Sequence, residues 1–334
     1  MPFAGARALV TGGGGFIGSH LVERLLAGGA EVRVLDNFAT GSRANLGDAL
    51  DEIELIEGDI QSYERVHNAI RGCELVFHQA ALPSVPRSIQ DPLTSTNTNV
   101  IGTLNVLLAA RDAGVRRVVY ASSSSVYGSS RELPKREHQP ALPIAPYAVS
   151  KLAGEGYCRS FSSVYGLETL SLRYFNVFGP RQDPLSDYAA VIPRFISAFL
   201  EDEAPVVFGD GEQSRDFTYV DNAVDATLRA AEADGVVGQV FNVACGERTT
   251  LNALLAELER LTGKQFEARH AEARPGELRD SLADISRARE SLEYQPSVDV
   301  REGLRRAYSY YEGRRASSSS SYRPSMSVTS RSAE

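Results

Sequence analysis

Residues Thr11–Ser19 read TGGGGFIGS. The stretch lies between a short β-rich run, Ala6–Thr11, and a segment in which Ile17, Leu21 and Leu25, joined by Val22 and Leu26, recur at helical spacing. A strand that must turn sharply into a helix leaves few folds open. Gly12, Gly15 and Gly18 follow a G-x-x-G-x-x-G spacing. Gly12 suits the tight turn, Gly15 a close backbone approach to a pyrophosphate, and Gly18 tight packing of helix on strand. Unpaired N–H groups at the start of the helix favour an anion there. Taken alone, the loop reads equally well as a plain glycine-rich turn.

The order of the remaining segments narrows the choice. Glu31–Asp36, Ile53–Ile60, Glu74–Gln79 and Arg117–Ser122 also read as strands, apolar on both faces as in a covered parallel sheet. Helical stripes separate them, one carried by Val100, Leu104, Leu107 and Leu108. Repeated β-α-β order predicts a Rossmann-type doubly wound parallel sheet, an α/β fold with ligands at the carboxyl ends of its strands. Asp36 ends the second run, twenty-four residues after Gly12. A carboxylate there accepts both hydroxyls of an adenosine ribose and repels a 2′-phosphate, which favours NAD over NADP. Arg33 and Arg43 lie near enough to soften that preference. Asp59 suits the adenine amino group, or equally a surface turn.

After about Asn176 the pattern loosens. Pro180, Pro184, Pro193 and Pro205 interrupt it, and Gly209-Asp210-Gly211 reads as a turn. Val240–Ala244 reads as a further strand, and Leu251–Leu261 and Val300–Glu312 as helices. The expected organisation is a cofactor domain over 1–178, with segments near 216–245 returning to it. A smaller mixed α/β substrate-binding lobe spans 179–314, and a serine-rich, disordered tail 315–334. The formal charge of −8 argues against nucleic acid or an anionic membrane as partner. Three widely spaced cysteines, Cys73, Cys158 and Cys245, read as buried free thiols in a reducing compartment. The histidines show no metal-ligand spacing. Ala6–Val10 runs straight into the glycines without a charged-then-apolar leader, so no secretion signal is expected.

Tyr147 and Lys151, four residues apart, share one face of a helix that begins after Pro146. With 14 tyrosines and few lysines in the chain, chance supplies about 0.13 such pairs. Ser122–Ser125 closes the fifth strand run. A tyrosine is a poor base near neutral pH, at a pKa of about 10. A lysine ammonium beside an oxidised nicotinamide favours the phenolate, which then removes a hydroxyl proton while hydride leaves the same carbon. The plainer alternative is a buried Tyr–Ser hydrogen bond with a solvated lysine.

Longer motifs carry a resemblance. TGGGGFIGSH (Thr11–His20), Asp36-Asn37, Gly58–Ile60, His78–Ala81, Ser122–Gly128, Pro146–Lys151, Arg173–Pro184, Gly209–Asp221 and Arg274–Ser286 resemble the motifs of the extended short-chain dehydrogenase/reductase family, and within it those of nucleotide-sugar 4-epimerases. The resemblance runs from about Arg7 to Glu312. It implies Ser123, Tyr147 and Lys151 as the catalytic trio. It implies NAD contacts from Gly12, Gly15, Phe16, Ile17, Gly18, Asp36, Asn37, Gly41, Asp59, Ile60, Gln79, Ala80, Ala81, Asn99, Tyr147, Lys151, Tyr174 and Val177. It implies a UDP-sugar held by Ser84, Ser123, Ser124, Tyr147, Asn176, Val191, Arg215, Arg274 and Ser281, with Asn176, Arg215 and Arg274 gripping the diphosphate.

The resemblance also separates reactions. Dehydratases of the family carry Asp-Glu where this chain has Ser124-Ser125, and the decarboxylases have Glu at the position of Ser125. Uronic-acid epimerases tend to have Thr at the position of Asn176. The implied reaction is C4 epimerisation: hydride is lent to NAD and returned to the other face of a transient 4-keto sugar. Ser281, where many relatives have tyrosine, leaves room for a 2-acetamido group, so UDP-GlcNAc/UDP-GalNAc is expected alongside UDP-Glc/UDP-Gal. A uronic-acid epimerase, another keto-product enzyme of the family and a non-catalytic NAD sensor are the alternatives. A cytoplasmic homodimer is implied, its interface formed by helices at Val100–Arg111 and Ala148–Tyr165.

Overall fold

The computed structural model of the chain describes residues 3–184, 190–272 and 279–320, with side chains through residue 316. Six strands come first: β1 (Arg7–Thr11), β2 (Glu31–Asp36), β3 (Glu54–Glu57), β4 (Leu75–His78), β5 (Arg117–Ser123) and β6 (Glu168–Tyr174). After them come β7 (Val177–Phe178), β8 (Val206–Phe208), β9 (Ser214–Arg215), β10 (Thr218–Tyr219), β11 (Val240–Val243), β12 (Thr249–Thr250) and β13 (Arg269–Ala271). Strands β1 to β6 and β11 make one seven-stranded sheet in the order β11-β6-β5-β4-β1-β2-β3. Every neighbouring pair in it is parallel. The order reverses direction between β1 and β4, which opens a crevice at their carboxyl ends, as in a Rossmann-type α/β fold.

Both faces of the sheet are buried, which is why its strands read as unbroken apolar runs. In β1, Ala8 and Val10 enter one core and Leu9 the other. Helices Phe16–Ala27 and Val220–Glu232 cover the first core. Helices Tyr63–Ile70, Gly102–Asp112 and Pro146–Tyr165 cover the second. Some boundaries shift from the expected ones. β3 stops at Glu57, so Gly58, Asp59 and Ile60 belong to the loop beyond it, whereas β5 takes in Ser123. Cys73 and Cys158 are buried free thiols, but Cys245 is only partly buried, with its sulfur near the Asn222 amide.

The helix Pro146–Tyr165 lies close against β5. A Cβ at Gly154 would sit 2.2 Å from the Tyr120 hydroxyl, so only glycine permits this approach. Among the described residues the smaller lobe has no large sheet. It is built from the pairs β7·β10, β8·β13 and β9·β12, with helices Val191–Leu200 and Leu251–Thr262 beside them. The last helix runs Val300–Ser320 and thus passes Ala316, where the apolar pattern fades. Residues 321–334 of the expected tail lie outside the described residues. Among the described residues no helix is long and apolar enough to cross a membrane.

Two glycines of one helix give an internal control. Gly154→Ala is expected to destabilise the fold by about 1–3 kcal/mol through overpacking against Tyr120. Gly156, with open space at its Cβ position, is expected to gain up to about 1 kcal/mol as alanine. Chemical denaturation of the two variants checks both signs.

Candidate active site

The crevice between β1 and β4 is lined by the glycine loop. Gly12 has φ of +71°, and a Cβ there would lie 2.7 Å from the Ala80 backbone nitrogen. A Cβ at Gly18 would lie 2.1 Å from the Gly12 carbonyl oxygen. Gly15 begins the helix Phe16–Ala27, and no side chain caps that terminus. The N–H groups of Phe16 and Ile17 therefore open a helix end suited to an anion. The segment at Gly41 crosses over the loop: Ser42 N–H donates to the Gly14 carbonyl at 2.9 Å, and Asn45 Nδ2 to the same oxygen at 3.0 Å.

Asp36 holds this loop against β2. Its carboxylate accepts Gly14 N–H at 2.8 Å and Phe38 N–H at 2.7 Å. Burial pushes its pKa up, and these bonds oppose the rise. Asn37 donates to Asp59 at 2.9 Å, which places both side chains beside the expected adenosine position. Arg33 is turned away: it pairs with Glu54 and donates to the Ala69 and Arg71 carbonyls. Arg43 pairs with Glu57 and stacks over the Phe38 ring, 5.0 Å from its centroid, so it stays near the Asp36 carboxylate.

Beneath the crevice lies a residue to which the sequence assigned no role. His78 is buried, with Nδ1 2.7 Å from the Thr11 hydroxyl and Nε2 2.9 Å from the Thr103 hydroxyl. The Thr103 hydroxyl donates to the Asn99 carbonyl, so it accepts from Nε2–H. His78 is then neutral, with Nδ1 accepting from Thr11, whose oxygen also takes Ala80 N–H at 3.3 Å. Desolvation lowers the His78 pKa to about 3, with the Lys151 charge adding to the effect. The Asn99 amide bonds the Leu82 backbone and the Ser150 hydroxyl, and so braces the loop after β4. Gln79 donates to the Tyr174 hydroxyl, which also pairs with Thr227. Ala81 follows on the same loop, Ile60 packs where a Cβ of Gly102 would fall, and Ser84 caps the short helix Val85–Gln90.

The three residues of the implied trio meet at the end of β5. Ser123 ends that strand, its hydroxyl accepting Ser125 N–H at 3.2 Å, and Ser124 follows it. Tyr147 is half-buried, with the Ser123 hydroxyl close enough to hold its phenol down. The helix carrying Tyr147 has no cap of its own, and Ser88 supplies one by accepting Tyr147 N–H at 3.0 Å. Lys151 Nζ lies 6.0 Å from the Tyr147 ring centroid and donates to the Ala121 carbonyl at 2.7 Å. Burial pushes the phenol up to about 12 against the Ser123 hydrogen bond. It lowers the Lys151 ammonium to about 8.

A second cavity, of about 240 Å³, opens in the smaller lobe. Asn176, Val191 and Arg215 line it together with Phe208 and Phe217. Val177, implied as a cofactor contact, lines this cavity too. Asn176 has φ of +36° and donates to the Asp216 carbonyl. Ser281 is not part of the wall: it pairs through its backbone N–H with the Ser214 carbonyl at 3.0 Å. Arg274 lies outside the described residues. Asp216, which sequence reading passed over although it lies inside the Gly209–Asp221 motif, is fully buried. It accepts N–H groups of Cys245, Gly246 and Ala283 at 2.9–3.1 Å. Burial still raises its pKa, to about 6.

Comparison with known proteins agrees with this geometry. The model of the "NAD dependent epimerase/dehydratase family" matches residues 8–244. The chain belongs to that family. Its cofactor is NAD, and the glycine cradle, the uncapped helix end and Asp36 fit that dinucleotide. A UDP-glucose 4-epimerase of Mycolicibacterium smegmatis is 40% identical over 92% of this chain and 99% of its own length. The UDP-N-acetylglucosamine 4-epimerase of Methanobrevibacter ruminantium, solved with UDP-N-acetylmuramic acid, superposes with a TM-score of 0.90. It is 38% identical, over 93% of this chain and all of its own. Another member of the family, the Thermus thermophilus UDP-glucose 4-epimerase solved with NAD, gives a TM-score of 0.84 at 37% identity, over 92% of this chain and 99% of its own.

His78 makes a testable contribution to acid stability. Its folded pKa lies below the unfolded value of about 6.5, so the unfolded state binds the extra proton. Stability is then complete above pH 6.5 and falls as pH drops toward 3. Roughly 2.5 kcal/mol should be lost between pH 7 and 4.5. Unfolding free energies of wild type and His78→Gln at the two pH values check this, the variant being expected to lack that part of the slope.

Proposed function

We propose that the chain is an NAD-dependent isomerase that interconverts the C4 epimers of a UDP-sugar, UDP-GlcNAc/UDP-GalNAc alongside UDP-Glc/UDP-Gal. The observation that carries the reading is the meeting of Ser123, Tyr147 and Lys151 at the end of β5, beside the glycine cradle, with Ser124-Ser125 following. Bound NAD supplies a hydride acceptor that returns the hydride. The loop Gly12–Gly18, Asp36 and Asn37 hold it, and Lys151 reaches its ribose.

Tyr147 removes the proton of the sugar 4-hydroxyl and later gives it back. Two nearby positive charges, the Lys151 ammonium and the nicotinamide ring, draw its phenol down from the value that burial sets. Ser123 orients the same sugar oxygen. Two serines after it provide no carboxyl pair for loss of water, which supports epimerisation over dehydration. In the smaller lobe, the Phe208 and Phe217 rings suit the faces of a uracil base, and Arg215 and Asn176 the diphosphate. A serine at position 281, where a bulky side chain would restrict the pocket, supports acceptance of an acetamido group. Residues 1–178 with 216–245 form the cofactor part and 179–314 the substrate part. Free thiols at Cys73, Cys158 and Cys245 suit a reducing, cytoplasmic setting.

The reading extends to a homodimer. Ile89, Leu93, Ile101, Val149 and Tyr157 are 37–69% exposed, on helices packed against one another. Such an apolar cluster suits the same cluster of a second copy.

Parallel assays with UDP-Glc, UDP-GlcNAc and UDP-GlcA, with bound NAD measured, test the activity. Turnover of the first two is expected, and no turnover of any UDP-sugar would refute it. Tyr147→Phe should retain NAD and lose at least about 100-fold in kcat. For the dimer, Leu93→Asp with Val149→Asp should halve the mass seen by sedimentation.

A further inference from the structure

Directly below Tyr147 and Lys151, the same helix carries a third polar residue on the same face. Tyr147, Lys151 and Glu155 follow one another at steps of four. Glu155 is buried and forms a two-pronged ion pair with Arg173, also buried: Nε–Oε1 is 2.8 Å and Nη2–Oε2 is 2.7 Å. Side-chain exposure is 5% for Arg173 and 3% for Glu155. Ser122, the register partner of Arg173 in the sheet, donates a third hydrogen bond to Glu155 at 2.5 Å. The Arg173 guanidinium carbon lies 4.7 Å from the Tyr127 ring centroid, and the Tyr127 hydroxyl donates to Asn242 on β11.

Burying such a pair is a poor way to gain stability, because desolvation offsets the attraction. What the pair adds is direction. Three short bonds, aimed from two strands, are lost if the helix rotates or slides by a fraction of a turn. Lys151 is pegged to the Ala121 carbonyl. Ala121 and Ser122, neighbours on β5, thus engage two successive turns of the helix, at Lys151 and Glu155. Glu155 lies eight residues from Tyr147, about 12 Å along the axis, so it has no reach to the reacting atoms.

We propose that Glu155 and Arg173 are a positioning pair that fixes the rotation and height of the helix Pro146–Tyr165 on β5 and β6, and thereby the placement of the Tyr147 phenol against Ser123 and the sugar hydroxyl. The inference rests on the epimerase reading above. Displacements near 1 Å cost about 100-fold in rate at a reacting centre, so the pair acts on kcat. The glycine cradle and the smaller-lobe cavity, which set cofactor and nucleotide binding, lie apart from it.

The test replaces both charges with apolar groups of similar length, E155M/R173M, because removing one partner strands a buried charge and endangers the fold. The variant is expected to fold, to retain NAD and to keep KM within about twofold, while kcat falls about 10- to 100-fold. R173K, which keeps the charge and loses the fork, should lie between wild type and the double variant. Should the double variant fail to fold, Ser122→Ala decides: removal of one of the three bonds should lower kcat two- to fivefold at unchanged KM and NAD content. A kcat within twofold of wild type in the folded double variant, or an unchanged kcat in Ser122→Ala, overturns the positioning role. A fall confined to KM or NAD content overturns it as well. A wild type that epimerises no UDP-sugar sinks the functional reading itself, and the positioning role with it.

Discussion

Nothing larger than a hydrogen atom fits on the inner side of Gly12, where a Cβ would come within 2.7 Å of the backbone after β4. This contact sets the width of the crevice in which everything else is arranged. It exists because β1 and β4 are neighbours at the point where the strand order reverses. The Asp36 carboxylate then fastens the loop to β2 from one side. Thr11, His78 and Thr103 brace it from below. Each fastening is neutral or locally compensated, so the anion-seeking helix terminus keeps its character.

The first half of the fold was legible because its strands are buried on both faces and its helices on one, so apolar periodicity tracks the structure closely. The glycine loop, Asp36 and the Tyr147–Lys151 spacing were legible for a related reason: each is a local pattern, set by a few consecutive residues. The smaller lobe was not. Its strands are two or three residues long, too short for any period to register. Their partners lie far away in sequence, as with β8 and β13. Val177 shows the consequence: it lies in a two-residue strand beside the left-handed turn at Asn176 and lines the lobe cavity, a placement that no local period reveals. His78 and Asp216 were passed over because their hydrogen-bond partners come from remote segments. The bracing bonds of Asn99 were hidden for the same reason, since they depend on where Leu82 and Ser150 fall.

The site combines an acidic chain with anionic ligands without contradiction. Many of its surface arginines are tied to nearby carboxylates, as Arg7 is to Glu31 and Arg279 to Asp210. Exposed pairs of this kind add little stability. The helix terminus at Gly15, Lys151 and Arg215 place positive charge where the anionic ligands of the proposed reaction would lie.

The edge of the large sheet has a separate consequence. β11 joins it from residues 240–243, after the chain has already passed through the smaller lobe and back. The two parts are therefore braided rather than strung in series. A chain cut after residue 178 would leave β6 with an open edge, the N–H and C=O groups that now face β11, such as the N–H groups of Ser171 and Phe175, unpaired and ready to join another molecule. Exchange of the substrate part between relatives by recombination has to keep both crossings, which makes it an insertion into the sheet domain rather than a fusion behind it.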